Sequence, residues 1–111
     1  MLLNKEVYNG KRILGDKTIE LMTTNQLPGN IISRGGSGFR FGLDFELVTE
    51  ENKLSKAPSI GSFCRGGAFN THYWADPKES IIGLIFTQEY FPASCNDLGT
   101  VYKNGIYANL E

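Results

Sequence analysis

The chain has 111 residues, enough for one domain with one modest hydrophobic core. Eleven basic side chains nearly balance twelve acidic ones, the formal net charge is -1, and the basic residues are scattered along the chain. Such a balance gives no long-range attraction for nucleic acid or an anionic membrane, so we expect neither as a partner. One histidine and two cysteines are too few ligands for a zinc site, and we expect no metal and no cofactor.

Neither the N-terminus nor the longest apolar run predicts a membrane-directed segment. Residues 1–6 lack the basic stretch and long apolar run of a signal peptide. Residues 81–86 are too few to cross a bilayer. The two cysteines, Cys64 and Cys95, have no metal-type spacing; we expect buried or half-buried thiols, with a disulfide as the alternative. The compartment therefore stays undecided.

The first third of the chain predicts short helical pieces and turns. Residues 1–7 carry apolar side chains compatible with the last turns of a helix, and the Asn-Gly dipeptide at 9–10 predicts a turn. Asp16 is suited to cap a helix over 17–26. Residues 29–38, rich in glycine, predict a loop.

The middle of the chain predicts strands. Apolar side chains at every second position of 39–47 predict one strand with one buried face. Residues 59–65 and 69–75 predict two more strands with Gly66 and Gly67 between them. Residues 81–86 are apolar at nearly every position, which is typical of a central strand covered on both faces.

The C-terminal segment completes the predicted architecture. Apolar residues lie near helical spacing over 96–110, although Gly99 and Gly105 each weaken a helix by about 1 kcal/mol relative to alanine. The sequence therefore predicts an α+β fold, an antiparallel sheet of three to four strands with a C-terminal helix packed on it.

Two stretches carry a resemblance to a known family. Residues 9–14 (NGKRIL) with 18–26 (TIELMTTNQ), and residues 66–79 (GGAFNTHYWADPKE) continuing to Gln88, occur in the same order and with similar spacing in the β-lactamase-related serine hydrolases. That family includes class C β-lactamases, the penicillin-binding D-alanyl-D-alanine carboxypeptidases, and esterases. Within the family, the chain looks closer to the esterase-like and uncharacterised members than to the true β-lactamases. The resemblance implies that residues 1–111 are a single partial domain, the C-terminal part of a β-lactamase-like fold.

The resemblance also assigns a substrate-binding edge. Family members carry a third cleft motif on an edge strand, and a backbone N–H just past it supplies half of an oxyanion hole. Arg65, Gly66 and Gly67 stand at that motif here, and the resemblance implies that the Ala68 N–H is the donor. Arg65 replaces the usual lysine, histidine or tryptophan, and it suits either a substrate carboxylate or a plain surface salt bridge.

The first two family motifs are missing from the chain. Family members attack the acyl carbon with the serine of a Ser-x-x-Lys motif, and no such string occurs in the 111 residues. Ser37 and Ser62 are each followed three residues later by an arginine, which cannot act as the base. We read the Tyr-x-Asn strings at 102–104 and 107–109 as coincidences. No catalytic residue is therefore assigned, and the chain alone is expected to be inactive; a non-catalytic binding or interaction module is the alternative.

The resemblance implies two partners. The complete protein would take a small acyl substrate, whether a β-lactam, a peptide or an ester. The sheet edge that N-terminal strands cover in the family would be bare, so we expect a homo-oligomer. His72, the one histidine, lies mid-strand without an acidic neighbour and is expected to be structural or on the surface. Intact relatives are often exported, which does not decide the compartment of this chain.

Overall fold

A five-stranded antiparallel sheet organises the part of the chain that the structure describes. The structure, a computed structural model, describes residues 2–4, 7–29, 31, 33, 35–36, 38–49, 58–90 and 98–110. Its elements in chain order are a 3-10 turn (Leu2–Asn4), β1 (Val7–Tyr8), β2 (Lys11–Arg12), α1 (Asp16–Met22), β3 (Phe39–Phe41), β4 (Glu46–Val48), β5 (Phe63–Gly66), β6 (His72–Asp76), β7 (Ile81–Ile85) and α2 (Leu98–Tyr107).

The sheet is a meander in which each strand pairs with the next, in the order β3-β4-β5-β6-β7. A separate two-stranded hairpin, β1-β2, turns at Asn9 and Gly10, whose φ angles of 49° and 73° suit a type I′ turn. The predicted α+β class and the C-terminal helix are confirmed. Within the described residues, no helix is long and apolar enough to cross a bilayer.

The prediction of one strand over 39–47 was wrong, because this segment is the β3-β4 hairpin. The Gly42 N–H donates to the Phe45 carbonyl at 2.8 Å and closes the turn. Leu43 at the tip is exposed, whereas Phe45 and Leu47 are buried. Alternation alone cannot reveal this turn, since the alternating pattern runs on through Leu43, whereas the register places Phe39 and Phe41 on the opposite face from Phe45 and Leu47. The sheet consequently has five strands instead of three to four.

The predicted boundaries near the N-terminus also needed correction. The helix predicted over 1–7 is a single 3-10 turn followed by β1. Asp16 is the first residue of α1 instead of its cap; Gly15 holds the cap position without a side-chain hydrogen bond. The helix ends at Met22 because the chain is drawn to the outer edge of the sheet, where the Gln26 N–H donates to the Phe41 carbonyl at 2.8 Å.

The two faces of the sheet are packed differently. On one face Phe45, Leu47, Phe63 and Ala75 form the core, with Met22 from α1 among the partly buried residues against it. The Phe45 and Phe63 rings lie 5.0 Å apart.

On the other face, the fully buried Trp74 meets α2. The Tyr102 ring makes a T-shaped contact with it at 6.0 Å between centroids, and the Lys103 ammonium lies 5.6 Å from the ring centroid. Near the end of α2, the Tyr107 hydroxyl donates to Asp76 at 2.6 Å. The C-terminal helix is thus fastened to β6.

Within the described residues β7 is an edge strand, so the prediction of a central strand covered on both faces is wrong for this part of the chain. Ile82, Leu84 and Phe86 are 56%, 53% and 82% exposed. An apolar run shows that both faces of a strand suit burial, but it does not supply the layer that buries them.

Candidate functional site

The C-terminal end of β5 is an open sheet edge. β4 pairs with β5 through Leu47 opposite Phe63 and Glu46 opposite Cys64, and the pairing stops there. Backbone groups alternate in direction along a strand, and the neighbouring Gly67 N–H points to the β6 side, where it donates to the carbonyl of Thr71, just before β6. The Gly66 N–H and C=O therefore face the side that β4 has left. Gly66 and Gly67 are both exposed.

The contacts of Arg65 explain why the hydrogen-bond ladder between β4 and β5 ends. Its guanidinium donates to the Asp44 carbonyl at 2.7 Å, lies 3.8 Å from the Asp44 carboxylate, and sits 5.2 Å from the centroid of the Phe41 ring. The carbonyl that would continue the ladder is thus bound by a side chain instead of by β5. Of the two readings of Arg65 drawn from sequence, these contacts describe the salt bridge, made at the rim of the open edge.

A tight turn between β5 and β6 follows the glycines. The Gly67 N–H donates to the Thr71 carbonyl at 2.9 Å, and the Asn70 N–H donates to the Gly67 carbonyl at 3.1 Å. Asn70 has a φ of 59°, as expected for a three-residue hairpin loop that closes with a left-handed residue. The turn is at 68–70, two residues later than the sequence indicated. Within the described residues, the N–H of the exposed Ala68 has no hydrogen-bond partner.

The side chains of Thr71 and His72 leave little room beside both glycines. A Cβ on Gly66 would lie 3.3 Å from His72 Nδ1, and one on Gly67 would lie 2.4 Å from Thr71 Oγ1. The sequence suggested glycine here for the close approach of a substrate. The structure shows a second reason, which is that the side chains of Thr71 and His72 occupy the space beside this edge.

Three of the four predicted substrate-binding residues line one shallow, mostly apolar depression of about 230 Å³. They are Arg65, Gly66 and Gly67; Ala68 is not part of the lining. The other lining residues are Thr71, His72, Tyr73, Leu84, Ile85 and Phe86. Sequence reasoning missed Tyr73 and Leu84. The strand register places them in one row with Arg65 across the sheet, since Arg65 is opposite Tyr73 and Tyr73 is opposite Leu84.

His72 lies in the lining of this depression, at the start of β6. Burial first, and the Lys103 ammonium second, lower the pKa of its imidazole. Its Nε2 lies 2.8 Å from the Asn70 side-chain oxygen. The ring also packs against Gly99 of α2, so closely that a Cβ added to Gly99 would lie 3.1 Å from Nδ1. These contacts join the β5-β6 turn to α2. They place His72 in a packing position between sheet and helix.

The described candidates for a nucleophile are not placed for attack. Ser62 is fully buried, and its Oγ has no hydrogen-bond partner among the described residues. Ser37 and Cys95 lie outside the described residues. Cys64 is also buried, and burial raises the pKa of its thiol to about 11, which disfavours the thiolate. Neither described Tyr-x-Asn tyrosine adjoins the depression, since Tyr102 packs on Trp74 and Tyr107 binds Asp76.

Comparisons with known proteins give two sequence relatives and no family model. No family model matches the chain. Two proteins of Mycobacterium tuberculosis, the uncharacterized protein MT1414 of strain CDC 1551 and protein Rv1367c of strain H37Rv, are each 29% identical to it over 120 aligned residues. The alignments cover 100% of this chain and 30% of each relative.

Solved structures of the simvastatin synthase LovD from Aspergillus terreus are similar in fold. The unliganded selenomethionyl form gives a TM-score of 0.75 at 24% identity over 99% of this chain, and another unliganded form gives 0.72 at 25% over 96%. The LovD6 mutant gives 0.71 at 24% identity. The chain spans 31% of the first two structures. It therefore has an α+β fold that corresponds to part of a β-lactamase-like fold.

Proposed function

We propose that this chain is the C-terminal portion of a serine hydrolase or acyltransferase of the β-lactamase-like fold, and that it forms one wall of the acyl-binding cleft. The observation that carries the proposal is the open edge of β5, where Gly66 has backbone groups free of β4 and the Ala68 N–H has no partner within the described residues. An oxyanion hole needs such pre-positioned donors that are not already bound.

In this proposal the residues have separate tasks. Gly66 presents its N–H and C=O to the extended part of a small acyl substrate, and the Ala68 N–H donates to the oxygen that becomes negative in the tetrahedral intermediate. Arg65 bounds the cleft and holds the β3-β4 hairpin away from this edge. The serine that attacks and the lysine that takes its proton come from outside these 111 residues, so the chain alone performs no turnover.

The first test uses the chain by itself. We expect no hydrolysis of nitrocefin or p-nitrophenyl butyrate, and no mass increase after treatment with a fluorophosphonate. A covalent adduct on any side chain, measured by peptide mass spectrometry, would contradict the assignment of the nucleophile to another part of the protein.

The second test examines the Ala68 N–H in an active context, a LovD chimera in which this chain replaces the corresponding segment. Ala68→Pro removes the N–H at the second position of a β-turn, where proline is well tolerated. We expect kcat to fall by about 10²- to 10³-fold, the usual effect of losing one oxyanion donor. Ala68→Gly, which keeps the N–H, is the matched control and should retain activity. Equal kcat for the two variants would refute the role of Ala68.

The alternative is a non-catalytic binding or interaction module derived from the same fold. The absence of a Ser-x-x-Lys string in the 111 residues favours it. The DNA upstream of the Met1 codon separates the two proposals, since an in-frame Ser-x-x-Lys there supports the enzyme and its absence supports the module.

A further inference from the structure

The direction of the Ala68 N–H depends on the turn between β5 and β6. Ala68 is the first residue of this turn, which is closed by the Gly67 N–H on the Thr71 carbonyl and by the Asn70 N–H on the Gly67 carbonyl. Asn70 has a left-handed φ of 59°, a strained conformation for a residue other than glycine, although asparagine tolerates it. An exposed N–H without a partner keeps one direction only if the turn that carries it is held in place.

The side chain of Asn70 holds the turn from inside the molecule. Asn70 is 1% exposed, whereas its neighbours Ala68 and Phe69 are exposed. A buried amide requires hydrogen-bond partners, and the Asn70 Oδ1 lies 2.8 Å from Nε2 of His72. Because an amide oxygen can only accept, the His72 Nε2 carries the hydrogen and donates. This hydrogen bond joins the left-handed residue of the turn to the first residue of β6.

The imidazole of His72 is itself fixed between the sheet and α2. A Cβ on Gly66 would lie 3.3 Å from its Nδ1, and one on Gly99 of α2 would lie 3.1 Å from the same atom. The two glycines thus let the ring pack against two backbones at once. In the sheet, His72 is opposite Gly66 of β5 and Ile85 of β7. The ring therefore forms a fixed support from which Nε2 reaches Asn70.

We propose that His72 is a positioning residue, which holds the Ala68 N–H in its donating direction through the side chain of Asn70. This role rests on the proposed function, in which the Ala68 N–H donates to the oxyanion. His72 transfers no proton in this role. Its contribution is that the donor is already in place when negative charge develops, because a donor that must first be ordered stabilises that charge less.

Backbone ¹⁵N relaxation of the intact chain tests the positioning without any catalysis. In the unmodified chain, the order parameters of Ala68 and Asn70 should be about 0.85, as in a rigid backbone. His72→Phe keeps a ring but lacks the donor, and should lower both order parameters below about 0.6. His72→Gln is the matched control, since its side-chain amide nitrogen replaces Nε2 as the donor, and it should keep the turn rigid.

Circular dichroism reports whether each variant is folded. If His72→Phe does not fold, His72→Leu gives the same comparison, since leucine also lacks a donor and is smaller than the ring. A turn that stays rigid in a folded variant without the donor would overturn the positioning role. Equal loss of order in His72→Gln and His72→Phe would overturn it as well, because the hydrogen bond would then not be what holds the turn.

The LovD chimera connects the turn to the reaction. We expect His72→Phe to lower kcat by about tenfold or more and to leave KM within about twofold, since an oxyanion donor acts in the transition state. His72→Gln should retain kcat. In a chimera that already carries Ala68→Pro, His72→Phe should lower kcat by less than about twofold, because the N–H that His72 positions is absent.

The chimera also separates failure of the positioning role from failure of the proposed function. If Ala68→Pro leaves kcat unchanged, the oxyanion role of Ala68 is wrong and the catalytic role of His72 falls with it. If Ala68→Pro lowers kcat but His72→Phe does not, the positioning role alone is overturned. The same holds if His72→Phe lowers kcat equally with and without Ala68→Pro, since its effect would then not pass through the Ala68 N–H.

Discussion

Asp76 is the residue that ties α2 to the sheet. Asp76 is fully buried. One of its carboxylate oxygens accepts hydrogen bonds from the Tyr107 hydroxyl at 2.6 Å and from the Ser59 N–H at 3.0 Å. The other oxygen accepts from the N–H groups of Lys78 and Glu79. Burial opposes ionisation, but the hydrogen bonds, first from Tyr107 and then from Ser59 and Glu79, outweigh it and hold the pKa of Asp76 below its ordinary value.

Removing the Tyr107 hydroxyl should therefore destabilise the fold. We expect Tyr107→Phe to lower the free energy of unfolding by about 1.5–3 kcal/mol at neutral pH, the usual contribution of a hydrogen bond to a charged group. Urea titration measures the change. Tyr102 lies in the same helix, and its ring packs on Trp74. Tyr102→Phe should therefore change the free energy of unfolding by no more than about 0.5 kcal/mol.

The acid dependence of the same variant has a definite sign. Because the folded pKa of Asp76 is depressed, its carboxylate contributes stability above the unfolded pKa near 3.8, and this contribution is lost as pH falls through the folded pKa. The difference between Tyr107→Phe and the unmodified chain should shrink there. A difference that stays constant down to strongly acidic pH would argue against an ionised Asp76.

His72 should give the chain a second pH dependence near neutrality. Burial and, after it, Lys103 lower its folded pKa below 6.5, so the unfolded chain takes up a proton first as the pH falls. The free energy of unfolding should consequently decrease from about pH 7.5 to about pH 5.5. His72→Gln should remove this slope, since the chain has one histidine. The same slope in both proteins would show that another group is responsible.

At the scale of elements, β6 and β7 fit together through one glycine. A Cβ on Gly83 would lie 2.0 Å from the Trp74 ring, which fills the space above β7. We expect Gly83→Ala to destabilise the fold by about 1–3 kcal/mol or more, because the indole is fully buried and cannot move aside. Thermal unfolding measures the loss.

Gly105 in α2 is the matched control. A Cβ there has nothing within 4 Å, so Gly105→Ala should stabilise the helix by up to about 1 kcal/mol. If Gly83→Ala and Gly105→Ala shift the midpoint of thermal unfolding in the same direction, the packing of Trp74 on Gly83 does not control how β6 and β7 fit together.

The β3-β4 hairpin shows what an alternating sequence pattern can and cannot predict about an element. Alternating residues over 39–47 correctly indicated extended chain, but the turn depends on contacts outside the segment. A Cβ on Gly42 would lie 1.8 Å from the Met22 carbonyl, so α1 requires glycine at this position. That requirement comes from a helix about twenty residues away and is invisible in the local alternation.

At the scale of the whole molecule, the described residues leave two different sheet edges unpaired. At β5 the open edge is short and follows from the Arg65 contact with Asp44, which ends the ladder. At β7 it runs along the full strand. The first suits a small extended ligand, and the second suits another strand.

The sequence by itself determined the α+β class, the strands around β5, β6 and β7, the C-terminal helix, and the glycine pair beside Arg65. It also showed that the 111 residues contain no Ser-x-x-Lys string. These features depend on residue type, alternation and turn preference, which act between near neighbours. Only the tertiary structure decided that residues 39–47 turn back, that β4 leaves Gly66 free, and that no strand of the described residues lies beyond β7. Those outcomes depend on which distant side chains fill the same space, and a local pattern does not encode that.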